Sequence, residues 1–174
     1  MKALPYALGV ALGVLPVVAA AQNSLSDAFR ASEQRYARIL TAALDSIPAD
    51  KFAYKPTPAQ MSVADIAVHL AEGNDMLCSS VGGTTAPQRT PITATSPRDT
   101  LLARLRATFA YCQTALAGLS DAQLGDSVPS FGGRKTSRGN MILITQGDWA
   151  DHYSQLAIYM RLNGLMPPTA RRGN

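Results

Sequence analysis

Asp148 and His152 stand four residues apart in the stretch GDWADHYSQLAIYMRLNGLMPP. On a helix that spacing sets two side chains about 6 Å apart at Cβ on one face, close enough to chelate one ion or simply to pair with each other. The other histidine of the chain, His69, lies between Ile66 and Leu70 in VADIAVHLAEGN, with Glu72 three residues further on. Imidazole and carboxylate are ligands for first-row divalent metals, and a free carboxylate such as Glu72 can act as a general base. Each residue also has a plain reading. A buried histidine can be a satisfied core residue, the Asp148–His152 pair a salt bridge, and Glu72 a solvent-facing helix residue.

Four segments carry the helical period that would position these groups, and no segment alternates as a strand of useful length. In the first, from about Ser24 to Ser46, Leu25, Phe29, Tyr36, Leu40, Leu44 and Ile47 recur at intervals of three, four and, once, seven. A connector with three prolines, PADKFAYKPTPAQM, follows. The second segment opens at Ser62 with a Ser-x-x-Asp capping pattern to Asp65, turns Val63, Ile66, Leu70 and Leu77 to one side, and stops near Gly82 and Gly83. The third starts at Ser96 and Pro97, with serine expected as N-cap, and buries Leu101, Leu105, Phe109, Cys112, Leu116 and Leu119. The fourth runs from about Asn140 to Leu162 and ends at Asn163-Gly164 before Pro167-Pro168. The loop GGTTAPQRTPITATS between the second and third is longer than a helix hairpin needs, which implies a crossover. The expected fold is all-α, a four-helix bundle.

On the fourth segment Met141, Thr145, Asp148, His152, Leu156 and Tyr159 fall on one narrow face, the one a bundle buries. A buried carboxylate costs several kcal/mol unless it is paired, hydrogen-bonded or bound to metal, so Asp148 needs a partner. Asp65 and Asp151 read as cap and surface, and Trp149 and Tyr153 as packing and rim residues. Arg134, Lys135 and Arg138 precede the fourth helix and read either as receivers of an anionic substrate or as solvated loop charges.

Composition narrows the function classes. The first 21 residues, with Lys2, an apolar run and Ala19-Ala20-Ala21, have the pattern of a secretory signal peptide, which predicts export to a periplasmic or extracellular space. The rest, about 150 residues, makes one domain over 22–168 and a basic C-terminal tail over 169–174. Contact with a membrane is expected only through the signal sequence if it stays uncleaved. The net charge of +4 is spread over twelve arginines without a basic stripe, which excludes nucleic acid as an expected partner.

Pro56, Thr57, Pro58, Ser62, Val63, His69 and Leu70, read with His152, Gln155, Tyr159, Arg161, Gly164, Pro167 and Pro168, resemble the DinB-like (DinB/YfiT) family of metal-dependent four-helix bundles. The resemblance covers nearly all of the chain after the signal segment. It implies an up-down-down-up bundle with its long crossover between helices 2 and 3. It also implies a divalent metal held between helices 2 and 4 by His69, Asp148 and His152, with Asp148 standing where the family usually has histidine. Two histidines and a carboxylate suit Zn²⁺ first, with Ni²⁺ or Fe²⁺ as alternatives. The parallel second and third helices of such a bundle would set Cys78 level with Cys112, each sixteen residues past its helix start, so a disulfide is open to them. Three protein ligands leave an open position, and known family activities imply a transferase or isomerase acting with a small thiol, against which the expected export argues because such thiols are cytoplasmic reductants. A hydrolase, with Glu72 as a base, is equally compatible. The expected partner is a small-molecule substrate, with a homodimer left open; the rival reading is a metal-free helical binding or interaction module on the same scaffold.

Overall fold

The structure, a computed structural model, describes residues 23–171; the expected signal peptide lies outside the described residues. Four helices make the body: α1 Ser24–Ser46, α2 Val63–Gly82, α3 Arg98–Leu116 and α4 Arg138–Leu162. Among the described residues no helix is long and apolar enough to cross a membrane.

The contacts between helices fix their directions. Along α2 and α3, Asn74 bonds Thr108, Cys78 joins Cys112, and Gly82 abuts Ala115, so both sequences advance together and the two helices are parallel. Arg30 reaches Leu116 and Leu119 while Asp45 pairs with Arg106, which sets α1 antiparallel to α3. His69 meets Asp148 and Met61 meets Tyr159, so α4 runs against α2. The order is up, down, down, up. The long connection between α2 and α3 travels the length of the bundle, held by the Arg89–Asp75 ion pair, by Arg104 on the Thr90 carbonyl and by buried Ile92.

Local chemistry explains the ends of the elements. Ser62 Oγ accepts the Asp65 amide at 3.1 Å while the Asp65 carboxylate accepts the Ser62 amide at 2.9 Å, a complete capping box. Gly83 closes α2 at φ 66°, a left-handed backbone that glycine adopts without strain. Ser96 does not cap α3. Its hydroxyl turns back to accept the Thr93 amide, closing a turn, and Pro97 occupies the N-cap position. Asn23 gives α1 no side-chain cap; Asp121, from a 3-10 turn after α3, accepts the amides of Leu25 and Ser26 at 3.1 and 2.8 Å. Those bonds, Ser26 first, hold the Asp121 carboxyl below the usual range. Leu25, expected inside, is consequently 43% exposed, and Ser26 faces inward in its place.

The core holds Leu40, Leu44, Ile66, Leu70, Leu101, Leu105, Met141 and Leu156, all essentially inaccessible to water. Trp149 lies at its centre, ringed by Phe29 at 5.6 Å and by Tyr36 and Phe109 each at 6.1 Å between ring centroids. Its indole Nε1 donates to Asn74 Oδ1 at 2.7 Å, which satisfies the one polar atom of the ring. The link before α4 contains a small hairpin, β1 Ser127–Pro129 paired antiparallel with β2 Lys135–Ser137. β2 feeds straight into α4, so that helix begins at Arg138, two residues earlier than its apolar pattern does. At the other end Thr169 bonds Tyr153 and Arg171 bonds Ser46, folding the C-terminal residues back over α4 and α1.

Candidate metal centre

The antiparallel contact of α2 with α4 brings His69, Asp148 and His152 together. His69 Nε2 lies 3.2 Å and His152 Nε2 3.4 Å from the same oxygen, Asp148 Oδ1. The two imidazole rings are 4.6 Å apart between centroids. One donor atom from each residue falls within 4.8 Å of the others, and among the described residues this is the group of three or more so placed. Burial is graded across it: His152 is buried, Asp148 half-buried and His69 exposed.

Asp148 is ionised at neutral pH. Burial pushes its carboxyl up, but the hydrogen bond and charge of His152, then those of His69, outweigh burial and hold it below the usual carboxylate range. Two atoms nonetheless lack any protein partner: Asp148 Oδ2 and His152 Nδ1, both shielded from solvent. An orphaned buried acceptor costs about 1–3 kcal/mol, so the cluster is incomplete as a set of protein–protein hydrogen bonds.

The donor set fits a divalent ion. Nitrogen and oxygen donors about 2.0–2.1 Å from a tetrahedral Zn²⁺ stand about 3.3 Å from one another, the spacing of both imidazole nitrogens from Asp148 Oδ1. Gly73, one turn after His69, bears no side chain, and a Cβ there would come 3.8 Å from Asp148 Oδ2. At that distance a methyl group would meet the unpartnered, buried oxygen in ordinary van der Waals contact.

The remaining candidates fall elsewhere. Glu72 is exposed and outside the group of three. Arg134 and Lys135 are exposed on the hairpin. Arg138 is neither a solvated loop charge nor a substrate receiver: it is buried, and its guanidinium donates to the carbonyls of Val81 and Gln123 and to Asp126, tying α2 to α4. Asp151 is exposed and bonds Gln155.

One buried titratable group was not evident from the apolar pattern. Glu33 on α1 is 1% exposed, its Oε1 has no hydrogen-bond partner, and burial pushes its carboxyl up to about 7. Its signal is the interval of seven between Phe29 and Tyr36, where a residue four past Phe29 would be expected to be apolar.

The model of the DinB superfamily matches residues 32–156. The chain belongs to that superfamily. Solved structures with the same fold include a DinB-like protein from Bacillus cereus ATCC 10987, at TM-score 0.66 and 17% identity over 82% of this chain and 95% of that one. A DinB-like protein from Bacillus subtilis gives TM-score 0.65 at 18% identity, over 84% and 99%. A member of the family from Exiguobacterium sibiricum gives 0.58 at 22%, over 80% and 91%. At these identities the likeness concerns the fold. No curated protein matches the chain.

Proposed function

We propose that this DinB superfamily member is an exported metal-dependent enzyme, a transferase or hydrolase acting on a small molecule. His69, Asp148 and His152 would hold its divalent ion. One observation carries the reading: His69 Nε2, His152 Nε2 and Asp148 Oδ1 converge from two helices, and the second, buried oxygen of the same carboxylate has no protein partner. Zn²⁺ is the preferred ion for two nitrogens and one oxygen, with Ni²⁺ or Fe²⁺ as alternatives. A bound ion would supply Lewis acidity to a water or thiol nucleophile. The protein's own contribution is positional. The capping box fixes the start of α2 and hence the height of His69, the Trp149–Asn74 bond locks α4 against α2, and His152 is held in the buried wall.

Export is supported by the disulfide between Cys78 and Cys112, with a Cα–Cα distance of 5.2 Å in the interior, since such bonds persist in oxidising compartments. Exposed His69 supports access to substrate from outside.

Elemental analysis of the purified protein, with and without chelator treatment, tests the site. The expected result is one divalent ion per chain, removed by chelator, restored by Zn²⁺ and lost in His69→Ala and His152→Ala. Binding weakens in acid, because imidazole must be neutral to ligate. A metal-free preparation that takes up no Zn²⁺, Ni²⁺ or Fe²⁺, with both alanine variants as stable as the parent, would overturn the reading in favour of a metal-free binding module.

A further inference from the structure

A cavity of about 430 Å³ lies between the last turns of α2 and the β1–β2 hairpin. Its size is within the range of small-molecule sites. Met76 and Ser80 form one wall, Val128, Pro129 and Ser130 the other, and Arg138 the closed end. His69, Gly73, Met76 and Ser80 follow one another at intervals of four, three and four, a single stripe along α2. The rise from His69 to Met76 is about 10 Å, so the cavity begins within one small-molecule length of the cluster. Gly73 contributes no side chain between them, and Met76, the next residue of the stripe, is flexible and 37% exposed.

The charges around the cavity are already used. Arg138 directs three of its five N–H groups to Val81, Gln123 and Asp126, and the Asp126 carboxylate balances its charge. At the end of α2, the Ser79 carbonyl accepts the Thr84 amide and the Ser80 carbonyl accepts the Gly83 amide. At the start of α4, the amides of Arg138, Gly139 and Asn140 donate to Asp126, Leu124 and Ser137. No carboxylate lines the walls. What remains for a ligand is hydroxyl groups, Ser130 among them, set beside the apolar surfaces of Met76, Val128 and Pro129.

We propose that this cavity binds the uncharged, amide- or hydroxyl-bearing body of a small molecule whose reactive end reaches the cluster over Gly73. Its role as a substrate subsite rests on the metal-enzyme reading above; its occupancy by a neutral ligand does not. The test uses the chelator-treated full chain and ¹H–¹⁵N correlation spectra. N-acetylglycinamide is the neutral probe, and N-acetylglycine its carboxylate counterpart. N-acetylglycinamide is expected to shift the amides of Met76, Ser80, Val128 and Ser130 saturably, with N-acetylglycine at least fivefold weaker. Met76→Trp and Ser130→Trp, which fill the cavity from opposite walls, are expected to abolish those shifts while leaving thermal stability and metal content at the parent's values. Shifts confined to other regions, equal binding of both probes, or full binding in both tryptophan variants would overturn the proposal. Elemental analysis of the same preparation, taken before chelator treatment, separates the two readings. Stoichiometric metal without cavity shifts overturns the cavity, whereas cavity shifts without metal overturn the metal centre and leave the binding site standing.

Discussion

Replacing Glu33 by glutamine should stabilise the protein, and by an amount that grows with pH. Glu33 sits on α1 between Phe29 and Tyr36, whose rings both pack on Trp149, and it is 1% exposed. Arg30, one turn before it, is turned to Asp27 and to the carbonyls of Leu116 and Leu119. With nothing to compensate its charge, the carboxyl is pushed from an ordinary 4.5 up to about 7 by burial. In the unfolded chain the same group loses its proton near the ordinary value. Between these two limits the folded protein therefore binds more protons than the unfolded one, and stability falls as pH rises. The loss is absent below about 4.5 and complete just above 7. At about 1.4 kcal/mol for each tenfold change in the proton equilibrium, the full penalty is about 3 kcal/mol. Local relaxation of the core reduces this figure, so about 1.5–3 kcal/mol is the expected range.

Glutamine has the shape of the neutral acid and cannot ionise, so the difference between parent and variant isolates the charge. Urea unfolding at pH 5, 6, 7 and 8, with the disulfide intact and chelator present, measures it. Every other ionisable group is common to both proteins and cancels in the difference. With a slope of about 2 kcal/mol per molar urea, the Glu33→Gln midpoint should lie about 1 M above the parent's at pH 8 and about 0.4 M above it at pH 5. Parallel curves at all four values would refute the reasoning, since they would mean that Glu33 is either solvated or paired in the folded state.

The disulfide closes a loop with a sequence separation of 34, so its reduction, or Cys78→Ala with Cys112→Ala, should cost about 3–4 kcal/mol and lower Tm by about 10 °C, read by calorimetry. Gly82→Ala would drive a Cβ to 2.3 Å from the Ala115 carbonyl oxygen, so the parallel α2 and α3 must separate; a loss of about 1–3 kcal/mol in urea unfolding is expected. Gly147, inside α4 with nothing within 4 Å of a Cβ, is the opposite case, and Gly147→Ala should stabilise by about 0.5–1 kcal/mol in the same assay.

Helices with local signals could be read from the chain. The span of α1, the capping box at Ser62 and the stop at Asn163-Gly164 rest on residues within a turn or two of the boundary. Features set by distant partners could not. Leu25 is turned out because Asp121, 96 residues away, takes its amide, and Ser96 was drawn into a turn with Thr93 instead of capping α3. The hairpin has strands of three residues each, too short for alternation to register. Arg138 stands in a run of charged loop residues, and its burial depends on the Val81 carbonyl, which only the folded α2 presents. At the site, spacing alone paired Asp148 with His152, whereas the arrival of His69 from 79 residues away followed from the family resemblance.

Asp148 and Glu33 are both withdrawn from water, and their environments drive them in opposite directions. Asp148 has imidazoles on both sides of one oxygen, which outweigh burial and keep it ionised. Glu33 has aromatic packing and no partner, which keeps it protonated in mild acid. Only the first already offers an ionised carboxylate, so a cation bound there would have no proton to displace from it. Its carboxylate also explains how the site could dispense with a third histidine. One anionic and two neutral ligands leave a dication with a net charge of +1 rather than +2, a smaller charge to shelter in a half-buried groove and a weaker Lewis acid for whatever binds beside it. Gly73 bears on the same carboxylate: a Cβ there would lie 3.8 Å from the unpartnered Oδ2 of Asp148, so a long side chain would crowd the one oxygen that no protein group bonds.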